Sequence, residues 1–183
     1  MRFGKATPAL SSPRTISTFI SIGAGMNVSQ VDANKAVIRR LVEAHNRQDA
    51  FAAAACFAPG GTNHGRVAGP SGMERVYRNL YAAFPDYHWE LQTLFGEGDW
   101  VALHVVQTGT HLGTLELPVF GGLIHNVAPT GKTVSVANIH LYQMRDGLIV
   151  RHTAVRDDLG MMRQMGLLPE TQHAGGDMSR PDR

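Results

Sequence analysis

The spacing of the apolar residues changes at Pro85, and this change constrains the fold more than any other feature. Before Pro85 the apolar residues recur every three or four positions, which is typical of amphipathic helices. After it they alternate with polar residues, as they do in half-buried strands. Helices followed by a run of long strands predict an α+β fold, in which helices pack on one face of a curved antiparallel sheet. A chain of 183 residues fits a single domain of this kind.

The pattern predicts three helices before Pro85 and a short one near the end of the domain. The first covers 32–48, a short Ala-rich helix follows Asp49, and the third begins at Ser71. Between the second and third, three glycines and a proline in 59–65 predict a loop. The alternating segments predict strands, and a short closing helix follows them: 87–95, 100–111, 133–144 and 148–155 as strands, then 158–165.

The two ends of the chain differ from this domain. Residues 1–28 contain proline, serine, threonine and basic side chains but no acidic residue, which predicts a disordered extension. A secretory signal is the alternative, although the apolar stretch is short and interrupted. Residues 170–183 are polar and lack periodicity, which predicts a tail. The folded domain is therefore expected to cover 29–169.

Charge and cysteine content exclude several classes of protein. The formal net charge is only +2, so no nucleic-acid partner is expected. The single cysteine, Cys56, cannot form an internal disulfide or a multi-cysteine zinc site. No run of eighteen apolar residues is present, so no membrane-spanning helix is expected. These features predict a cytoplasmic protein.

Several short segments, in their order and spacing, resemble the SnoaL-like polyketide cyclases, a family within the nuclear-transport-factor-2-like superfamily. The resemblance covers about 31–169 and rests on these segments: V-I-R-R-L-V-E-A-H-N (37–46), A-F-P-D (83–86), E-G-D-W-V-A (97–102), G-T-H-L-G (109–113), A-P-T-G-K-T-V (128–134), I-H-L-Y-Q-M-R-D-G-L-I (139–149) and D-L-G-M-M-R-Q-M-G (158–166). It implies a cone-shaped sheet with an internal pocket, a small apolar carbonyl ligand, acid/base chemistry without a cofactor, and a homodimer. The reactions it implies are ring closure, isomerisation or dehydration.

The last predicted hairpin contains the residues of most chemical interest. A three-residue turn at 145–147 would set His140 opposite His152 on the inner face of the sheet. A neutral imidazole in an apolar pocket can take or give a proton near pH 7. The resemblance implies that His140 is the pocket histidine of the cyclases, with His152 assisting. The alternative is a structural histidine that bonds to backbone or to Tyr142.

The sequence departs from the cyclases at one decisive position. The resemblance places their catalytic aspartate fourteen residues after that histidine, where this chain has Ala154. Asp157 could supply a carboxylate to His152 or His140, or it could cap the following helix. Two functions therefore remain open: an enzyme of the cyclase type, and a binding protein of the same fold without catalysis.

Further side chains are expected to line the pocket and bind the substrate. They are His45, Asn63, His64, Val76, His104, Tyr142 and Ala154. No H-x-H or H-x-x-x-H pair occurs among the histidines, so no metal is expected. The sequence also lacks a nucleotide-binding glycine fingerprint and a CxxC pair, so no other cofactor is expected. The long apolar loop at 112–130 predicts a lid or a subunit contact.

Overall fold

The computed structural model describes residues 28–116 and 125–169. The predicted chain ends, and residues 117–124 of the predicted lid or subunit contact, lie outside the described residues. The elements in chain order are α1 (Val28–Asn46), α2 (Ala50–Ala54), β1 (Phe57–Asn63), β2 (Arg66–Val67), α3 (Gly69–Ala83), β3 (His88–Glu97), β4 (Trp100–Thr110), β5 (Thr133–Arg145), β6 (Leu148–Arg156) and α4 (Asp158–Gln164).

The strands form one curved, open sheet in the order β2-β1-β6-β5-β4-β3. Neighbouring strands are antiparallel except for β1 and β6, which run parallel. Helix α1 packs on β3 and β4, and α3 packs on β1. The predicted α+β class, with helices on one face of the sheet, is confirmed, and the wholly antiparallel sheet is corrected by the β1–β6 pair.

The segment predicted as a loop at 59–65 is mostly strand. It belongs to β1, whose ladder with β6 is interrupted between Phe57 and Thr62, and this interruption accommodates the proline and glycines. At Gly61 a Cβ atom would lie 2.9 Å from the carbonyl oxygen of Ile149, so this close approach of two strands requires glycine. The strand brings Asn63 alongside His152.

The sheet has two faces with different surroundings. On β4 and β5 every second side chain is buried under the helices, and we call this the inner face. The intervening side chains point away from the helices, and we call theirs the outer face. Apolar side chains of α1, α3 and the inner face form one core.

The hairpin between β5 and β6 has a tighter turn than predicted. Asp146 and Gly147 both have positive φ, at 51° and 74°, and Arg145 pairs with Leu148. A two-residue Asp-Gly turn with both residues left-handed matches the twist of an antiparallel pair. The ladder then steps over Val150, where β6 has one residue more than β5. The predicted three-residue turn is therefore wrong.

Candidate active site

The corrected register changes the neighbours of the two predicted catalytic histidines. His140 lies directly opposite Ala154, and His152 lies opposite Tyr142. The prediction that His140 faces His152 is therefore wrong in register. The two rings nevertheless meet along the diagonal of the ladder, with their planes 10° apart.

A line of three side chains crosses the inner face from β1 to β5. Nδ1 of His152 lies 2.8 Å from Oδ1 of Asn63, and Nε2 of His152 lies 2.9 Å from Nδ1 of His140. The rings are almost completely buried, with exposed fractions of 5% for His140 and 8% for His152. The structure thus brings together three residues that the sequence predicted for the site.

The hydrogen bonds determine which ring nitrogens hold protons. The amide oxygen of Asn63 only accepts, so Nδ1 of His152 must donate to it. A neutral ring has one proton, so Nε2 of His152 accepts from Nδ1 of His140. This leaves Nε2 of His140 with a free electron pair. It is buried and has no hydrogen-bond partner among the residues that the structure describes.

Burial keeps both histidines neutral. It is the main reason that the pKa of His140 falls from 6.5 to about 3, and positive charge at His45 and Arg156 contributes less. Burial is also the main reason that the pKa of His152 lies well below 6.5, followed by the effect of charge on His140. The electron pair on His140 therefore remains available at neutral pH.

A second buried imidazole faces this group from the helices. His45 lies in the last turn of α1 and is 1% exposed. Its Nδ1 lies 2.6 Å from the Tyr81 hydroxyl, whereas its Nε2 has no partner within the described part of the chain. Burial, and then charge on His152, lowers the pKa of His45 to about 3. His45, which was predicted to bind the substrate, is thus a second neutral ring in the interior.

Trp89 links the two buried imidazoles. Its ring centroid lies 4.2 Å from that of His45 and 4.6 Å from that of His140. The side-chain amide of Asn46 bonds both to the backbone N–H and to the carbonyl oxygen of Trp89. Helix α1 and strand β3 are therefore joined at the level of the two rings.

Two buried amides extend the polar surface along the inner face. Nδ2 of Asn138 donates to Oε1 of Gln107 over 3.0 Å, and each residue is 2% exposed. Oδ1 of Asn138 has no partner among residues 28–116 and 125–169. Gln107 was not predicted from the sequence, although a polar side chain at an inward position of an apolar strand is the signal that identifies it.

A charged group borders this interior at the end of β6. Arg156 bonds through Nε to Asp158 over 3.0 Å, and its Nη1 lies 3.2 Å from Nε2 of His64. His64 is exposed, has a φ of 49°, and its ring lies 5.4 Å from that of His152. His64 therefore lies at the surface, beside the buried ring of His152.

The remaining predicted site residues have different environments. His104 is half-buried on the outer face, so its predicted place in the pocket is wrong. Strand alternation could not exclude it, because both neighbours of His104 and the residues beyond them are apolar. Val76 is half-buried on α3 against the core, and Tyr142 is 1% exposed and stacks on His152.

Asp157 serves the fold in this structure. Its Oδ1 accepts from the backbone N–H of Gly160 over 2.8 Å, which caps α4. The side chain is exposed, and its position at the N-cap agrees with the second of the two alternatives. The catalytic interpretation of Asp157 is therefore corrected. Ala154 faces His140 with a methyl group, so that position offers no proton.

Within the described residues, no group of three or more His, Cys, Asp or Glu side chains is arranged to hold a metal ion. The same part of the chain contains no helix long and apolar enough to cross a membrane. The site consists of neutral imidazoles, amides and phenols in an apolar interior. Such groups can accept a proton, return it and donate hydrogen bonds to an oxygen that gains charge.

Comparison with known proteins identifies the family of this chain. The sequence model of the SnoaL-like polyketide cyclase family matches residues 35–165. Aklanonic acid methyl ester cyclase AcmA of Streptomyces galilaeus is 30% identical over 145 residues, which cover 75% of this chain and 94% of that protein.

Solved structures show the same fold. TsrD from Streptomyces laurentii superposes with a TM-score of 0.65 at 24% identity and covers 75% of this chain and 97% of its own. AclR from Streptomyces galilaeus superposes with a TM-score of 0.62 at 28% identity and covers 76% of this chain and 99% of its own. The resemblance noted in the sequence is therefore confirmed for both family and fold.

Proposed function

This chain belongs to the SnoaL-like polyketide cyclase family, and we propose that it closes a ring in a small, largely apolar carbonyl compound by acid/base chemistry without a cofactor. The observation that supports this most directly is the free electron pair on Nε2 of His140, buried and without a protein partner in the described residues. A buried acceptor without a partner costs about 1–3 kcal/mol of stability. A substrate proton would complete its bonding.

The proposed reaction is an intramolecular aldol addition. Nε2 of His140 takes a proton from a carbon beside a carbonyl group, and the C–H electron pair becomes an enolate. The enolate carbon then attacks a second carbonyl carbon of the same molecule, which forms the ring bond and leaves an alkoxide. Nε2 of His140 returns its proton to that alkoxide. No proton or electron is gained or lost overall, so no co-reactant is needed.

The low pKa of His140 is compatible with this role because the charges form in pairs. Burial separates a lone imidazolium from bulk water, and this is the main reason that the pKa of His140 is lowered to about 3. In the reaction, the enolate appears in the same step as the imidazolium. Their attraction in a dry interior offsets much of the cost of burying each charge.

Asn63 and His152 support the proposed base by fixing its tautomer. Asn63 accepts a hydrogen bond from Nδ1 of His152, and Nε2 of His152 accepts a hydrogen bond from Nδ1 of His140. Without this order the electron pair on Nε2 would not be guaranteed. Tyr142 stacks on His152 and limits its rotation. These three are positioning residues in the proposal.

The first test replaces the base and a matched histidine on the opposite face. His140→Ala should lower kcat for cyclisation of aklanonic acid methyl ester, or of a simple diketone that closes by aldol addition, by roughly 10²–10⁴-fold. His104→Ala removes the same side chain from the outer face of the adjacent strand and should retain the rate. Circular dichroism shows whether both variants are folded. Equal rates in the two folded variants would overturn the role of His140.

A specific observation favours the second candidate function, ligand binding without catalysis. The register places the methyl group of Ala154 against His140, at the position where the family resemblance places an aspartate. If the wild-type protein binds the ester tightly and never converts it, the binding function is the correct one. Calorimetry and product analysis on the same sample separate the two functions.

We also propose a homodimer formed through the outer face. Four apolar side chains on β3, β5 and β6 are exposed there, and we call them the outer patch: Phe95 (60%), Ile139 (55%), Leu141 (37%) and Val155 (77%). Ile139 lies opposite Val155 in the ladder, and Leu141 follows Ile139 on the same face of β5. Phe95 lies on the same face of the sheet, one strand beyond, across Ala102 of β4. Such a surface is unfavourable in water and suits a second copy of the same patch.

A further inference from the structure

We propose that His45 is a second catalytic residue, which donates a hydrogen bond from Nε2 to the carbonyl oxygen that becomes the enolate oxygen. This inference rests on the ring closure proposed above and assigns the group that stabilises its negative charge. The family resemblance places a carboxyl group at position 154, where this chain has only a methyl group. Another residue must therefore donate the hydrogen bond that stabilises the negative charge on the enolate oxygen.

The proton on His45 can be located from its partner. The Tyr81 hydroxyl lies 2.6 Å from Nδ1, and one of the two must donate. A phenol is a stronger acid than a neutral imidazole N–H, and a neutral imidazole nitrogen is a good acceptor. Burial also raises the pKa of Tyr81, so its hydroxyl keeps its proton. Tyr81 therefore donates to Nδ1, and the single ring proton of His45 lies on Nε2.

The free end of His45 is complementary to the free end of His140. His45 presents an N–H and His140 an electron pair, and no protein partner occupies either atom within the described residues. Both rings contact the same indole, that of Trp89, from α1 and β5 respectively. A carbonyl compound offers the matching pair, an acceptor oxygen and an acidic C–H on the adjacent carbon.

The surroundings of His45 favour a neutral donor. Its ring packs on Trp89 and meets the edge of Tyr77 at a centroid distance of 4.6 Å. In this apolar setting the ring stays uncharged at neutral pH, since its pKa is about 3. A neutral imidazole held in one tautomer can polarise a carbonyl group and stabilise the enolate oxygen. Tyr81 is a positioning residue, because it acts through His45.

The first experiment measures the tautomer and needs no activity. Long-range nitrogen–proton correlation spectra of the full chain should show His45 protonated on Nε2 and unprotonated on Nδ1 at pH 7. Tyr81→Phe should abolish this preference, because Nδ1 loses its donor. Tyr77→Phe is the matched control: it removes a hydroxyl one helical turn away, from a ring that also contacts His45. A proton on Nδ1 in the wild type would overturn the inference.

The second experiment measures stabilisation of an oxygen anion. Nitrophenols and halophenols that are ionised at the working pH serve as enolate analogues. His45→Phe should weaken phenolate binding by about 10-fold or more, the range expected when an anion loses a hydrogen bond. It should also lower kcat by roughly 10²-fold with little change in KM, because the bond strengthens only as charge develops.

The outcomes separate this inference from the proposed function. If the wild type does not close rings but phenolates bind through His45, ring closure fails and the donor role stands. If His140→Ala abolishes turnover while His45→Phe binds phenolates as tightly as the wild type, ring closure stands and the donor role fails. Unchanged kcat in a folded His45→Phe variant would also overturn it.

Discussion

On both faces of the sheet, residues 138–141 of β5 depart from the usual distribution, in which polar side chains are exposed and apolar side chains are buried. On the inner face, β5 buries Asn138 and His140, each with a polar atom that lacks a partner in the described residues. On the outer face, the neighbouring Ile139 and Leu141 are exposed by 55% and 37%. One strand thus places polar atoms in the interior and apolar side chains in water.

This difference shows which parts of the strand serve stability and which serve binding. Each unpaired buried polar atom costs about 1–3 kcal/mol. A fully exposed apolar side chain forgoes roughly 1.5–3 kcal/mol that its burial would provide, and Ile139 and Leu141 forgo part of this amount. In a sequence selected only for folding, we would expect apolar residues at the inner positions and polar residues at the outer ones. We infer that the inner groups are completed by a ligand and the outer groups by a second subunit.

The largest effect expected from this comparison is acid destabilisation that originates on the inner side of the sheet. His45 and His140 have folded pKa values of about 3, against about 6.5 for an unfolded histidine. Between these values the unfolded chain binds more protons, so stability falls as the pH falls below 6.5. Each such histidine should lower the free energy of unfolding by about 2 kcal/mol between pH 7 and pH 5. Urea unfolding at several pH values measures this.

Two variants identify the face responsible for that pH dependence. His140→Gln should reduce the slope of stability against pH, because one buried imidazole is lost. His104→Gln, on the outer face of β4, is the matched control for the loss of one histidine. A stability that does not change between pH 7 and pH 5 would show that the inner rings are solvated.

The second effect, in order of size, comes from a carboxylate introduced beside the buried base. Ala154→Asp places an anion directly opposite His140, and this should raise the pKa of His140. A stronger base should increase the cyclisation rate by 10-fold or more. The variant should lose about 1–3 kcal/mol of stability, because the carboxylate must be buried. Cyclisation assays, urea unfolding and the NMR titration of His140 provide the three readouts.

The same change on the outer face is the control for that result. Thr153→Asp adds a carboxylate to the adjacent residue of β6, which faces Leu141 on the outer side. It should leave the pKa of His140 unchanged. If Ala154→Asp alters neither rate nor stability, position 154 is solvated and the inner-face assignment is wrong.

The smallest effect on the folded protomer is expected from charges placed in the outer patch. Leu141→Lys and Val155→Lys, made one at a time, should each convert the proposed dimer to monomers. Each substitution would place one lysine from each subunit in the apolar interface. Their effect on the protomer should stay within about 0.5 kcal/mol, as for most surface substitutions. Sedimentation velocity measures the mass, and circular dichroism reports the fold. A wild type that sediments as a monomer would refute the dimer.

Much of the fold could be predicted from the sequence because its signals are local. The helical spacing before Pro85 and the alternation after it place α1, α3 and β3–β6 within a few residues of their observed positions. Strand β1 was missed because Pro59 and its glycines are normally loop residues, and only its pairing with β6 makes it a strand. Such pairing is a long-range property that no local pattern contains.

The candidate site was predicted only in part, for two physical reasons. His140, His152 and Asn63 were identified as separate residues, but their hydrogen-bonded line depends on a bulge and on a parallel strand pair. The partnership of His45 with Tyr81 joins residues on α1 and α3 that only packing brings together. Residue type therefore indicated the chemistry, while the contacts required the fold.

The extra residue in β6 affects how this hairpin can change in length during evolution. Because the ladder already steps over Val150, a deletion of Val150 would yield a regular hairpin with Ile149 and His152 still facing inward. A deletion of Gln143 from β5 would instead turn His140 to the outer face, because strand side chains alternate. Inherited length differences in this hairpin should therefore be confined to β6, where a lost codon leaves the histidine pair intact.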